Sequence, residues 1–174
     1  ITITGGSDYA LANENISGQA YSYADAPQLY PNDERHIRII TTSSKSIPNN
    51  TWTAITFDSI ALEVNSGLTS QWSSGSNTKL ICRLPGRYLI IGSVRFSGNT
   101  TGQRGLNIKK NGNWSAALLV PPPGSFETIY SLSEILNLDL GDYVELFAFQ
   151  NSGAELSIPS NNQNTNLHWE RVGS

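Results

Sequence analysis

Through residues 48–173 apolar and polar positions alternate in short runs, broken by Gly, Pro, Asn and Asp. That period of two, in runs too short for helices, predicts an all-β chain. Residues 51–57 read as a first strand, with Trp52 and Ala54 on one face and Ile55 and Phe57 on the other. Residues 60–64 give a second, and 67–76 a loop holding Trp72. The runs 78–84 and 87–96 flank Pro85-Gly86, which predicts a hairpin between them. Asn111-Gly112, between 105–110 and 116–120, is the strongest short-range hairpin signal in the chain. Pro121-Pro122-Pro123-Gly124 stops that strand, and in 126–138 the face carrying Tyr130, Leu132, Leu136 and Leu138 is expected to point inward. Leu140-Gly141-Asp142 forms a tight turn before 143–149, and runs at 155–158 and 166–172 close the chain. Roughly eight strands spaced by turns call for a β-sandwich or jelly roll.

Residues 1–47 follow a different pattern. Tyr9, Tyr21, Tyr23 and Tyr30 are scattered among short polar pieces with neither helical nor strand period. So few aliphatic residues cannot bury one another, which predicts an extended arm lying on another surface, each tyrosine offering contact area and a hydroxyl. Within it 36–42 alternates as a strand, placing Ile37 and Ile39 among the arm's contact residues and making this its one paired element. The expected organisation is an arm over 1–47 and a sandwich over 48–174.

The 174 residues suffice for one domain with a substantial core. Charged residues make up 14% and the net charge is −3, so no basic field exists to hold nucleic acid. No stretch nears the ~18 apolar residues of a membrane span, and the start lacks the basic and apolar blocks of a secretory leader. A start at Ile1 with no methionine anywhere is compatible with a trimmed or processed chain. Cys82 is the lone cysteine, which excludes an internal disulfide, and its apolar neighbours predict an inert buried thiol.

Four features occur in a telling order: Pro85-Gly86-Arg87-Tyr88, a strand ending Val94-Arg95-Phe96, Ile108-Lys109-Lys110-Asn111-Gly112, and Leu138-Asp139-Leu140-Gly141-Asp142-Tyr143-Val144-Glu145-Leu146. This order, with a terminal strand, resembles the C1q and tumour-necrosis-factor-like jelly roll over residues 48–173, and especially its bacterial and phage versions. The resemblance implies a ten-stranded jelly roll assembling as a homotrimer. The aromatic excess in 52–57 and 143–149 agrees, because one sandwich core cannot take aromatics on both faces of a strand. Tyr143, Phe147 and Phe149 share one face and Val144, Leu146 and Ala148 the other. Expected trimer contacts are Trp52, Ile55, Phe57, Tyr143, Phe147, Phe149 and Trp169. No collagen-like Gly-X-Y stalk precedes the domain, which argues against the immune and hormone-like roles of animal members.

Catalytic chemistry finds no footing. There is no G-x-S-x-G elbow, no H-E-x-x-H, and no glycine-rich loop opening a helix. Asp139, Asp142, Glu145 and Glu155 supply oxygen ligands of a kind some family members use for calcium, but at no recognised spacing, so no metal or other cofactor is expected. Trp72, Trp114 and Tyr130 are read as packing residues rather than as a sugar-binding groove. The expected function is that of a trimeric decoration protein on a phage or virus capsid, its partners a second and third copy and a coat protein. The alternative is a receptor-binding or adhesin tip whose loops 98–105 and 121–126 touch a host glycan or protein. A matrix or exosporium-like protein of the same fold is a weaker third.

Overall fold

The computed structural model describes residues 35–65, 69–122, 124–160 and 164–173. Twelve strands occur among them, in the order β1 (His36–Ile40), β2 (Lys45–Ile47), β3 (Thr53–Ala54), β4 (Ser59–Val64), β5 (Lys79–Ile81), β6 (Gly86–Phe96), β7 (Arg104–Lys110), β8 (Asn113–Val120), β9 (Thr128–Leu138), β10 (Tyr143–Gln150), β11 (Leu156–Ile158) and β12 (Asn166–Gly173). They form two five-stranded sheets, one ordered β4-β1-β12-β6-β9 and one ordered β3-β10-β7-β8 with β5 also on β10, and a small β11-β2 ribbon.

The sheets close on a core of Ile37, Ile39, Tyr88, Ile90, Val94, Phe96, Leu167 and Trp169 from the first and Leu106, Ile108, Val144, Leu146 and Ala148 from the second. Alternation selects these residues: each strand delivers every second side chain inward. In β9 the inward set is the expected one, with Leu138 buried and Tyr130, Leu132 and Leu136 packed on the core. At Gly92 a side chain would meet Leu146 Cδ1 at 2.5 Å, so Leu146 of the facing sheet fills the space that β6 leaves there.

Three expectations are corrected. First, His36–Ile40 is an interior strand, hydrogen-bonded to β12 and β4 on its two sides, and Ile37 and Ile39 are fully buried. They cannot be particle-binding arm residues, because contact with a partner needs an accessible side chain. With β2 also paired to β11, the compact unit begins at Glu34 and not at residue 48. Second, Pro85-Gly86 is no hairpin: β5 pairs β10 in one sheet while β6 pairs β9 and β12 in the other. The turn carries the chain between layers, allowing Leu80 and Tyr88 to face one core from opposite sides. Third, residues 51–57 form only the two-residue strand β3, after which Ile55 and Phe57 continue inward. Tyr9, Tyr21, Tyr23 and Tyr30 lie outside the described residues.

The Asn111-Gly112 hairpin joins β7 and β8 as its sequence predicts, with positive φ at both positions (50° and 80°). Gly141, at φ 88°, makes the turn into β10. Asp142 braces that turn by accepting from the Asp139 N–H at 2.9 Å, and it binds Asn111 Nδ2 and Lys110 Nζ at 2.7 Å each. Two turns distant in sequence thus become one locked corner, which is what the L-x-x-G-D-x-V segment does here.

Candidate interaction surfaces

Each sheet turns one face to the core and one outward. Antiparallel strands covered on one side only are expected to show polar side chains on the other. Neither outward face obeys this.

On the first sheet the pairing register sets the outward rows. One runs Ser133, Ile91, His168, Arg38, Leu62, and the next Ile135, Leu89, Glu170, His36, Val64. Leu62, Ile135 and Ile129 are 50%, 52% and 47% exposed. Leu89, Ile91 and Val64 are half-buried between them. The two histidine rings meet edge to face at 5.5 Å in the middle of this patch. Burial holds His168 below the ordinary imidazole range, and His36 and Arg38 add to the effect against the opposing pull of Glu170. None of these apolar positions belongs to the expected trimer set. Their signal lay in β4, which shows Ile, Ala, Leu and Val with little polar alternation, and in Ile129 and Ile135 among the serines of β9.

On the second sheet Trp52 stacks on Phe149 at 5.1 Å and meets Trp114 edge-on at 4.8 Å. Trp52 lies over Gly105, where a side chain would meet its ring at 2.7 Å. Lys109 Nζ sits 3.8 Å from the centre of the Phe147 ring and Lys79 Nζ 3.9 Å from that of Tyr143. Trp114 remains 55% exposed. Tyr143, Phe147 and Phe149 thus share one face of β10, as alternation predicts, and with Trp52 they form a half-buried cover over β10 and β7.

Ile55, Phe57 and Trp169 correct the expected trimer set: all three are buried inside the single chain. Trp169 packs against Tyr88 at 5.0 Å between ring centres and donates its indole N–H to Gln71 Oε1 at 2.8 Å. A buried indole with its polar atom satisfied belongs to the core. Trp72 and Tyr130 also pack on the core.

Two expected recognition loops come together at one end of the sandwich. Asn99 bridges Gly124, and the buried Arg104 guanidinium donates to the carbonyls of Asn99, Thr101 and Gln103. Beside them Phe126 is 81% exposed. The acidic residues are dispersed: Asp142 is engaged as above, and Glu145 accepts from the Thr78 hydroxyl at 2.6 Å. No group of three potential metal ligands occurs among the described residues. Cys82 is buried, its thiol pushed up by desolvation and directed at the Leu84 carbonyl at 3.1 Å. A thiol so placed lacks the thiolate character a nucleophile needs.

No family model matches the sequence, and no curated protein matches it by sequence. Solved structures do match. Murine APRIL at pH 5.0 aligns with a TM-score of 0.59 at 15% identity, over 80% of this chain and 99% of that one. The globular domain of zebrafish complement 1qA protein aligns with a TM-score of 0.57 at 12% identity, over 79% of this chain and 97% of that one. The fold is therefore the C1q/TNF-like jelly-roll sandwich.

Proposed function

We propose that this chain is a non-enzymatic structural module that assembles as a homotrimer and decorates the capsid of a phage or other virus, held there by residues 1–33 against a coat protein. The observation that carries the self-association is the apolar outer face of the β4-β1-β12-β6-β9 sheet. Leu62, Ile129 and Ile135 stand half-exposed there, and covering the open half of each contributes about 1 kcal/mol. A second copy is the occupant that fits: the centre of the patch mixes one cation, Arg38, and one anion, Glu170, two positions apart on neighbouring strands, so it can complement itself. The threefold order follows from the family resemblance.

The particle reading rests on composition and on the segment before the sandwich. Residues 1–33 keep all four spaced tyrosines and few aliphatics, as suits a strap that gains its order on a partner. The low net charge and inert cysteine fit an assembly role outside any nucleic-acid channel. Removing residues 1–33 should leave a folded trimer that no longer decorates particles. Full decoration by the shortened chain would contradict the attachment role.

A receptor-binding or adhesin tip is the second reading, favoured by the convergence of loops 98–105 and 121–126 beside the exposed Phe126. Saturable binding of the isolated head to a host glycan or protein, abolished by Phe126→Ala with assembly unchanged, would establish it over a purely cementing role.

A further inference from the structure

The His36–His168 pair lies in the centre of the face assigned above to self-association, and we propose that it makes the assembly acid-labile. This inference rests on the homotrimer reading. The surroundings of the pair are mostly unable to accommodate charge. From β6 they are Leu89 and Ile91, from β4 Leu62 and Val64, and from β9 Ser133 and Ile135, all in the same two rows. The ionised groups in these two rows are Arg38, directly opposite His168, and Glu170, directly opposite His36; further out on the same face β6 carries Arg87, one row beyond Leu89, and Arg95, paired with Glu127, one row beyond Ser93. Glu63, the single acid of β4, is engaged elsewhere, accepting from the Ser70 hydroxyl and the Gln71 N–H at 2.9 Å each.

With both imidazoles neutral these two rows carry one cation and one anion. Protonating both leaves three cations against one carboxylate, with the two new charges on rings 5.5 Å apart. Within one chain water still reaches both rings, which are only half-buried. Covering the face with a second copy removes that water and sets the same charges of the neighbouring copy nearby, so assembly favours the neutral rings. Protons are therefore taken up on dissociation. The assembly is intact above the ordinary imidazole range near ~6.5 and weakens as pH falls below it. With two sites per chain, linkage makes the dissociation constant rise by more than ~10-fold per pH unit there.

The test is sedimentation equilibrium of the full chain at pH 7.5 and pH 5, with near-ultraviolet circular dichroism to verify folding. The wild type should be trimeric at the higher pH and dissociate to folded monomer at the lower, while a His36→Gln/His168→Gln variant stays trimeric at both. A wild-type trimer equally stable at both values, or a variant that dissociates like the wild type, overturns the acid switch and leaves the trimer standing. A wild-type monomer at pH 7.5 sinks the trimer reading and the switch with it. If the variant does not fold, the imidazole proton resonances of the wild type decide. Titration in step with dissociation, at a midpoint that falls as protein concentration rises, supports the switch, and titration independent of concentration contradicts it.

Discussion

Asp142 illustrates how a single side chain carries part of this fold. Its carboxylate joins the Asp139 N–H, Asn111 and Lys110, and these bonds, Lys110 first and Asn111 second, draw its pKa down to about 2. A carboxyl lowered in the folded state contributes stability that is present above its unfolded pKa. That contribution is lost as pH falls from the ordinary range near 3.8 through about 2. Asp58 acts in the same direction. Burial opposes its ionisation, but the bonds from Ser43, Thr42 and Lys45 outweigh it and hold it well below the usual range. Acid denaturation of wild type and Asp142→Asn should therefore converge at low pH and differ by about 1–2 kcal/mol near neutrality. A second residue-scale expectation concerns Gly105. Alanine there displaces Trp52 from Phe149 and red-shifts the tryptophan emission, while the core, on the opposite face of β7, keeps its packing. Trp169→Phe should cost about 1–3 kcal/mol in chemical denaturation, because it removes the partner of the buried Gln71 carbonyl oxygen.

At the scale of elements, β1 is the decisive strand. It bridges β12 and β4, so a chain beginning at residue 48 lacks an interior strand and exposes Leu167, Trp169 and their neighbours. A chain beginning at Glu34 should melt cooperatively near the full-length temperature, whereas one beginning at residue 48 should give no folded signal in circular dichroism. The local signals in β7, β8, β9 and β10 were legible because alternation and turn chemistry act between neighbours in sequence: Asn111-Gly112 closes its hairpin, and β9 buries the expected face. The Pro85-Gly86 hairpin failed for the complementary reason. Two adjacent strands can pair or part into different sheets, and that choice depends on partners more than fifty residues away, as in Leu80 opposite Val144. The same limit explains Ile55, Phe57 and Trp169. Period two states which side chains share a face, but not whether the chain itself covers that face. Ile37 and Ile39 looked like an arm's contacts because their strand is isolated in sequence, its partners β12 and β4 lying further along the chain.

For the whole molecule, the sandwich has one apolar interior and two outward faces that depart from the polar pattern. The aromatic face of the second sheet is largely self-covering, since Trp52, Phe149, Phe147 and the two lysines lie on one another. Among the described residues the first sheet has no such cover over Leu62, Ile129 and Ile135, and for that reason we assign the self-association to it. The most direct measurement is the mass of the chain in solution, by sedimentation equilibrium at neutral pH, for wild type and for Leu62→Glu/Ile135→Glu. A wild-type trimer, with the double variant a folded monomer, is the expected result. A wild type that remains monomeric at micromolar concentration, or a double variant that still trimerises, would contradict it.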